Sequence, residues 1–445
     1  MWYTQNTTFK KVQNRTKESG NMSGTPALKV GLAEGLMKHR IGQVFAIFIV
    51  LLLTACTNGN DTGQRLVPLT PSSGSTPTPV RQLALPKKLL DPKYPVMDWV
   101  FNQTCSRAAT SYDSSQMNAT IAYDSAAWLY PNDGHLVQGF QDCEKDALLL
   151  QARNQGILTL LTVGVDSSWS EQDLAQYIDQ ASSQVQVPCT TQTTTYICNI
   201  VNWTVAGGYA GVIIDFEAVK WNYPDIRTKF GRFMQELQSA LHQKGLLCGL
   251  TLLPKVGDTP SADIAYYYNN FQDWHLLSNI DFLVDMTLDL DLTLNRPGPI
   301  TSIPWLEQQL DYLWHTIPQA LSKTIWELPL YGREWRKDTS STWHIVGDES
   351  CQQVNAQKAS QPLLSDVNTD PTTPELAWND ADGNRHELWY STPTSLLAMM
   401  TQLQQKVRDL LDNAHYKLPI SFWYRGAECD NFFGTAGALA TFYQS

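Results

Sequence analysis

The chain has 445 residues, a formal net charge of -11 and 43% hydrophobic residues. This composition is typical of a folded globular protein and excludes the disordered and fibrous classes. Because 43 acidic residues outnumber 32 basic ones, no broad basic surface is available to neutralise phosphates, and a nucleic-acid partner is not expected.

An apolar run near the N-terminus predicts an export signal. Residues Val44–Ala55 are too few to span a bilayer as a stable helix, and the basic stretch Lys38–Arg40 precedes them. Residues Leu53–Cys56 resemble the lipobox of bacterial lipoproteins, in which the cysteine becomes the lipidated first residue. A buried apolar segment followed by a chance cysteine is the less favoured alternative, because a polar linker follows at once.

Three regions are predicted along the chain. Residues 1–56 are expected to be an N-terminal extension and lipoprotein signal peptide, with translation starting at Met1 or Met37. Residues 57–94 are rich in Ser, Thr and Pro and are expected to form a linker. Residues 95–445 contain no such stretch and are expected to form one folded domain, lipid-anchored through Cys56 on the extracytoplasmic side of the membrane, in the cell envelope.

The cysteines are expected to include disulfides, since the chain is predicted to be exported. Setting Cys56 aside from the 8 cysteines leaves an odd number, so at least one is unpaired. Cys248 lies in an apolar, strand-like run where a free buried thiol is natural. Cys189 and Cys198 are the easiest pair to propose, and spacing alone leaves the other pairings open, the candidates being Cys105 with Cys143 and Cys351 with Cys429.

From residue 95 onward, short apolar runs alternate with helical patterns, which predicts a parallel sheet. The clearest helix has Ile226, Phe230, Phe233, Leu237 and Leu241 on one face and Gly245 at its end. The runs are Val96–Phe101, Asn118–Trp128, Gly156–Val165, Gly211–Glu217, Leu246–Leu253, Asp281–Thr287, Thr324–Tyr331 and Pro419–Arg425. We predict an α/β fold: a single (β/α)8 TIM barrel with an insertion, about Arg333–Tyr390, between the seventh and eighth strands.

Two features bear on the ligand. The 15 Trp and 18 Tyr suit ligands with apolar faces and hydroxyl-bearing rims, of which sugar rings are the commonest, although most of these side chains are expected in the core. The sequence shows neither a Gly-rich phosphate loop nor metal-ligand spacing among the 8 His, so no cofactor and no metal are expected.

Two carboxylates end the fourth run. Asp215 and Glu217 are separated by one residue, and the period of two along a strand places both on one face. At the carboxyl end of a barrel strand, such a pair is placed for acid–base chemistry, with the two pKa values pushed apart. A solvated strand cap is the alternative that spacing leaves open.

The segment GYAGVIIDFE, residues 208–217, resembles the fourth-strand signature of glycoside hydrolase family 18, most closely the spore-germination and cortex-lytic branch. Further segments match this branch in order: Leu250–Lys255 with the fifth strand, Asp281–Asp289 with the sixth, Pro297–Trp305 with a Pro-rich turn, Leu328–Gly332 with the seventh and Ser421–Gly426 with the eighth. The resemblance covers about residues 95–440.

The resemblance implies retaining hydrolysis in which the substrate takes part. Glu217 would protonate the glycosidic oxygen, and Asp215 would hold the acetamido nitrogen while the acetamido oxygen attacks the anomeric carbon. The substrate pocket would be lined by Asp289, Tyr331, Met286 and, as its floor, Trp423. The expected partner is a polysaccharide or oligosaccharide that contains N-acetylglucosamine, bound by a monomer.

Three positions depart from the family pattern. Ala210 stands where the leading Asp of the general signature lies, and Ile213 stands where chitinases carry the middle Asp. Leu288 replaces the tyrosine of Met-x-Tyr-Asp, whose hydroxyl would help to orient the acetamido group. Losing one such donor costs roughly 3 kcal/mol of transition-state stabilisation.

Three functions follow from these matches and departures. The first is a surface-anchored glycosidase that cuts β-1,4 linkages in chitin or peptidoglycan. The second is a non-catalytic glycan-binding lipoprotein on the same fold. The third, a solute receptor that feeds a transporter, is disfavoured by a layout without two lobes. The sequence leaves open which polymer is cut and whether cleavage is endo or exo.

Overall fold

The structure describes thirteen strands, eight of which coincide with the apolar runs of the sequence. A computed structural model describes residues 95–100, 120–129, 136–138, 151–165, 170–184, 188–216, 226–257, 279–294, 296–365, 367–433 and 436–444, with the backbone alone at 120–129 and 136–138. In chain order the strands are β1 (Val96–Val100), β2 (Thr120–Leu129), β3 (Leu136–Gln138), β4 (Thr159–Gly164), β5 (Gly211–Asp215), β6 (Leu247–Leu252), β7 (Phe282–Asp285), β8 (Thr324–Pro329), β9 (Gly332–Lys337), β10 (Trp343–Glu349), β11 (Glu375–Asn379), β12 (Arg385–Tyr390) and β13 (Ile420–Trp423).

Parallel pairing organises the larger sheet. β1 pairs with β2, and parallel pairs then join β2 to β4, β4 to β5, β5 to β6, β6 to β7, β7 to β8 and β8 to β13. β13 in turn pairs with β1, and β3 is antiparallel to β2. Each of the eight predicted apolar runs contains one of these parallel strands. Because the strands are parallel, their carboxyl ends all lie at one end of the sheet, where β5 ends on Asp215.

The two faces of the parallel sheet pack into different apolar clusters. The inner cluster consists of Met97, Trp99, Leu160, Ile213, Phe282, Val284 and Ile325. Val212 and Ile214, on the other face of β5, belong to the larger cluster that includes helix residues. Gly249 makes room for the inner cluster, because a Cβ there would lie 2.3 Å from the Phe282 ring. Asp215 follows Ile213 by two residues and therefore shares the inner face.

Helices surround the strands, most of them on the outer face of the parallel sheet, while Cys351–Ser360 packs against β10 and β12. They are α1 (Glu171–Ser183), α2 (Tyr196–Ala206), α3 (Ile226–His242), α4 (Leu290–Leu294), α5 (Ile303–Thr316), a 3₁₀ helix (Pro318–Lys323), α6 (Cys351–Ser360), α7 (Pro393–Leu411) and α8 (Ala438–Gln444). The predicted helix after β5 is α3, and its apolar face is buried. Gly245 follows α3 at φ +70° and lets Leu246 N–H bond back to the Leu241 carbonyl, which ends the helix as predicted.

A second, antiparallel sheet lies between β8 and β13 in the chain. Its strand order is β10-β9-β12-β11, and it spans Gly332 to Tyr390, which is the segment where the sequence predicts an insertion. The face of β9 nearest the barrel-type sheet carries buried residues, including Arg333 and Trp335. This sheet therefore brings charged and aromatic groups close to the carboxyl end of β7.

Two disulfides lie within the described residues. Cys189 and Cys198 form the predicted bridge across the turn before α2. Cys351 and Cys429 are also joined, which ties α6 to the segment after β13. Cys248 is a buried free thiol, as predicted, and burial raises its pKa.

The N-terminal predictions fall on residues that the structure does not describe. Cys56, the signal peptide and the linker up to residue 94 lie outside the described residues, as do Cys105 and Cys143. The described residues belong to one compact unit, Pro79–Ser445. Within that described part, every helix is too short or too polar to cross a bilayer.

Candidate active site

The first group of the candidate site is centred on Asp215. Its side chain is half-buried at the end of β5, and Thr251 on the neighbouring strand β6 donates a hydrogen bond from Oγ1 to Asp215 Oδ1 at 2.6 Å. Burial raises the pKa of Asp215 to about 6, against the Thr251 hydrogen bond, which lowers it. A carboxylate with this pKa changes its charge near neutral pH, which is where acid–base and electrostatic catalysis need a poised group. Glu217 lies outside the described residues, so its role stays a prediction.

Below Asp215 the inner face of β5 is apolar. Ile213 packs in the inner cluster and is paired directly with Thr162 across the β4–β5 ladder. The Thr162 hydroxyl is buried and has no hydrogen-bond partner among the described residues. The preceding inner-face position on β5 is therefore an isoleucine and offers Asp215 no neighbouring carboxylate.

The second group forms where the chain leaves β7. Met286 is buried, Leu288 is half-buried against the larger apolar cluster, and Asp289 has a side chain that is 37% exposed. Tyr331, at the end of β8, donates a hydrogen bond from Oη to Asp289 Oδ1 at 2.9 Å. Two of the predicted substrate-binding residues, Asp289 and Tyr331, are thus in direct contact.

Aromatic rings connect this group to the end of β13. Trp423 is partly buried, packs against the inner cluster and lies edge-to-face with Trp99 at 5.8 Å between ring centroids. The next residue, Tyr424, stacks on the Tyr331 ring at 6.0 Å. Because Trp423 packs against the cluster that contains Ile213, it lies at the end of the sheet interior that Asp215 also faces.

The sequence analysis missed Arg333. Its side chain is 5% exposed, and Nη1 lies 2.8 Å from Asp289 Oδ1, while Nη2 donates to Tyr331 Oη at 3.2 Å. A signal was present, because Tyr331, Arg333 and Trp335 alternate and so share one face of the extended chain. Thr251 was missed as well, since a threonine inside an apolar strand carries no pattern that marks it as the partner of Asp215.

The described residues hold no group of three His, Cys, Asp or Glu side chains placed to bind a metal ion. The site as described consists of a half-buried carboxylate, a carboxylate bound to a tyrosine and an arginine, and a wall of aromatic rings. Such an arrangement suits a ligand with apolar faces and hydroxyl-bearing rims.

Known proteins resemble this chain in sequence and in fold. No protein-family model matches the sequence. The sequence is 24% identical over 223 residues to the cortical fragment-lytic enzyme of Bacillus subtilis (strain 168), a match that covers 48% of this chain and 48% of that enzyme. The chain therefore spans about half the length of this relative.

Two solved structures resemble the chain over a larger part of its length. The chitinase of Chromobacterium violaceum ATCC 12472 superimposes with a TM-score of 0.61 at 21% identity, over 79% of this chain and 98% of that one. The spore cortex-lytic enzyme SleL of Bacillus cereus gives 0.60 at 18% identity, over 79% of this chain and 74% of that one. At these identities the likeness shows the fold, and the fold is that of the chitinase-like TIM barrels.

Proposed function

We propose that the protein is a glycoside hydrolase of the family 18 type that cuts β-1,4 linkages of glycans containing N-acetylglucosamine. The observation that carries this proposal is Asp215, half-buried at the end of β5, bound by Thr251 and with its pKa raised to about 6. The chitinase-like fold and the names of the similar proteins support it. We further propose a complete (β/α)8 barrel with the antiparallel sheet as its insertion, since the connections after β1 and β6 fall on residues outside the described ranges.

In the proposed mechanism Glu217 gives a proton to the glycosidic oxygen as the bond from that oxygen to the anomeric carbon breaks. The acetamido oxygen of the substrate forms a bond to the same carbon and closes a positively charged oxazolinium ring. Water then opens the ring as Glu217 takes a proton from it, so two inversions give retention.

Asp215 has an electrostatic role in this mechanism. Its carboxylate would accept a hydrogen bond from the acetamido nitrogen and stabilise the charge that develops on the ring. Thr251 holds Oδ1 by a hydrogen bond of 2.6 Å, which leaves Oδ2 for the substrate. The inner position of Ile213 means that Asp215 cannot share its proton with a carboxylate there.

The remaining predicted residues would hold the sugar ring. Trp423 would lie under the ring at the cleavage site, where an aromatic face suits the apolar face of a sugar. Asp289 and Tyr331 would bind its polar groups, with Met286 packed behind them. Both groups lie at the carboxyl end of the parallel strands, which supports a shared cleft.

The substrate requirement gives the experiment. Substrate-assisted cleavage needs the acetamido group, so we expect hydrolysis of N-acetylchitohexaose and of purified peptidoglycan strands, measured by release of reducing ends. Fully deacetylated chitosan hexamers of the same length are the matched control and should not be cleaved. Equal cleavage of both oligomers would overturn the proposed mechanism.

Of the two candidate polymers we favour peptidoglycan, because a lipid anchor would hold the protein near the wall and because similar proteins are named for cortex lysis.

A non-catalytic glycan-binding protein is the second candidate. Leu288 favours it, because this side chain packs half-buried against the apolar cluster where a family tyrosine would offer a hydroxyl. Saturable binding of N-acetylchitohexaose without any release of reducing ends, in wild type and in Leu288→Tyr alike, would decide for this candidate.

We also propose that the protein is a lipoprotein of the cell envelope, anchored through Cys56. The Leu53–Cys56 motif after the apolar run supports this location. We expect Cys56→Ser to move the protein from the membrane fraction to the soluble fraction in the producing bacterium, because a serine cannot form the thioether. Ser72→Ala in the linker is the control, and unchanged membrane partitioning of Cys56→Ser would contradict the anchor.

A further inference from the structure

The Arg333 guanidinium is the centre of a buried network of charges. Nη1 lies 2.8 Å from Asp289 Oδ1 and 3.0 Å from Asp291 Oδ1, and Nε lies 2.9 Å from Asp348 Oδ1. One guanidinium thus faces three carboxylates, two from the segment that follows β7 and one from β10. A fixed planar fork of this kind holds its partners in one geometry.

Two of the three carboxylates orient the arginine. Asp291 in α4 is fully buried and also accepts a hydrogen bond from the Trp335 indole at 3.1 Å. Asp348 in β10 is partly exposed and holds Nε, on the side of the guanidinium away from Nη1. With Nε and Nη1 both fixed, Nη2 is directed to Tyr331 Oη.

The third carboxylate, Asp289, has an unusual backbone conformation that its contacts must stabilise. Its backbone has φ +68°, a left-handed conformation that is unfavourable for a non-glycine residue and persists where the surroundings fix it. The bonds from Arg333 and Tyr331 both end on the same atom, Asp289 Oδ1. Asp289 Oδ2 is therefore the oxygen left for a substrate.

We propose that Asp348 is a positioning residue: from β10 of the antiparallel sheet it orients Arg333, which in turn fixes Asp289 and Tyr331 for the sugar. This role rests on the proposed function, in which Asp289 and Tyr331 bind the substrate. Through Asp348 on β10 and Arg333 on β9, the antiparallel sheet then sets the geometry of groups that lie at the ends of the parallel strands.

The test compares Asp348→Asn with Asp348→Glu. The neutral amide oxygen can only accept a weaker hydrogen bond from Nε and no longer forms an ion pair with the guanidinium, so we expect kcat/KM on N-acetylchitohexaose to fall about ten-fold, mostly in kcat, as small misplacements of binding groups do. Asp348→Glu restores the charge at a partly exposed position and should recover most of the loss. Glu387→Gln is the matched control, because it removes the negative charge from the 2.8 Å pair with Arg385 in the same sheet and should leave kcat/KM unchanged.

The outcomes separate this role from the proposed function. If wild type and Asp348→Asn cleave the hexamer equally well, the positioning role is wrong and the proposed function stands. The same conclusion follows if Asp348→Asn and Glu387→Gln lose equal amounts of activity and equal amounts of thermal stability. If wild type cleaves no acetamido glycan, the proposed function fails. Titration calorimetry with the hexamer and crystal structures of both variants then decide the positioning role: weaker binding and a broken Arg333–Asp289 contact in Asp348→Asn alone support it, and unchanged binding and contact overturn it.

Discussion

Glu217→Gln is expected to lower the rate of hydrolysis of N-acetylchitohexaose about a thousand-fold, the size of effect typical for loss of a general acid. The amide keeps the shape of the side chain but cannot donate the proton to the leaving oxygen. Binding of the uncleaved hexamer should be preserved, because the proton is transferred only in the transition state. Reducing-end release under single-turnover conditions, beside titration calorimetry, measures both quantities.

Glu236→Gln in α3 is a suitable control for this substitution, since it makes the same chemical change on a helix away from the carboxyl end of β5. Its hydrolysis rate should equal that of wild type. A Glu217→Gln variant that retains more than about a tenth of the wild-type rate would exclude Glu217 as the general acid.

Asp215→Asn is expected to lower kcat about a hundred-fold, because it removes one preorganised charge from the developing oxazolinium ion. The pH dependence of wild type should have the same origin. Burial raises the pKa of Asp215 to about 6, so the carboxylate is lost as the pH falls through 6, and kcat should fall with it. The acidic limb that Asp215 causes should be absent from the profile of the variant.

The raised pKa of Asp215 predicts that a fall in pH, which lowers kcat, increases the stability of the fold. Since the folded pKa is raised above the unfolded value of 3.8, the ionised carboxylate destabilises the fold above pH 6 and has no such effect below pH 3.8. Asp215→Asn should therefore raise the melting temperature at pH 8 relative to wild type, by more than at pH 3.5. A lower melting temperature at pH 8 would contradict the penalty from burial.

Thr251→Val tests whether Asp215 is the group whose titration gives the acidic limb of the kcat profile. The Thr251 hydrogen bond lowers the pKa of Asp215, so removing the hydroxyl should move the acidic limb of the kcat profile to higher pH and leave the rate at pH 8 closer to that of wild type. A profile that does not move would show that Asp215 is not the group that titrates.

The fold could be predicted because local patterns determine it. Each parallel strand is a short apolar run bounded by polar residues, and the periodicity that marks α3 also buries its face. The alternation along β5 predicted that residues two apart share a face, and the inner position of Ile213 agrees with that expectation. The break before the antiparallel sheet was visible because its segment lacks the strand–helix alternation.

The charge network could not be predicted, because its members meet only in the folded protein. Arg333 binds carboxylates 42 and 15 residues away along the chain, at positions 291 and 348. No sequence pattern joins these residues: the contact with Asp348 depends on the register of β9 and β10, and the contact with Asp291 depends on how β9 lies against the segment after β7. For the same reason the sequence could not decide whether Cys351 pairs with Cys429, since the two cysteines are 78 residues apart. Cys189 and Cys198 are only 9 residues apart, which made them the natural pair to predict.

Substrate-assisted retention is tested most directly by the configuration of the first product. Proton NMR of N-acetylchitohexaose during the first minutes of cleavage, before mutarotation, distinguishes the two anomers at the new reducing end. The acetamido mechanism with Asp215 and Glu217 predicts that the β anomer forms first and the α anomer grows in later. Initial release of the α anomer would mean a direct attack by water and would contradict the mechanism.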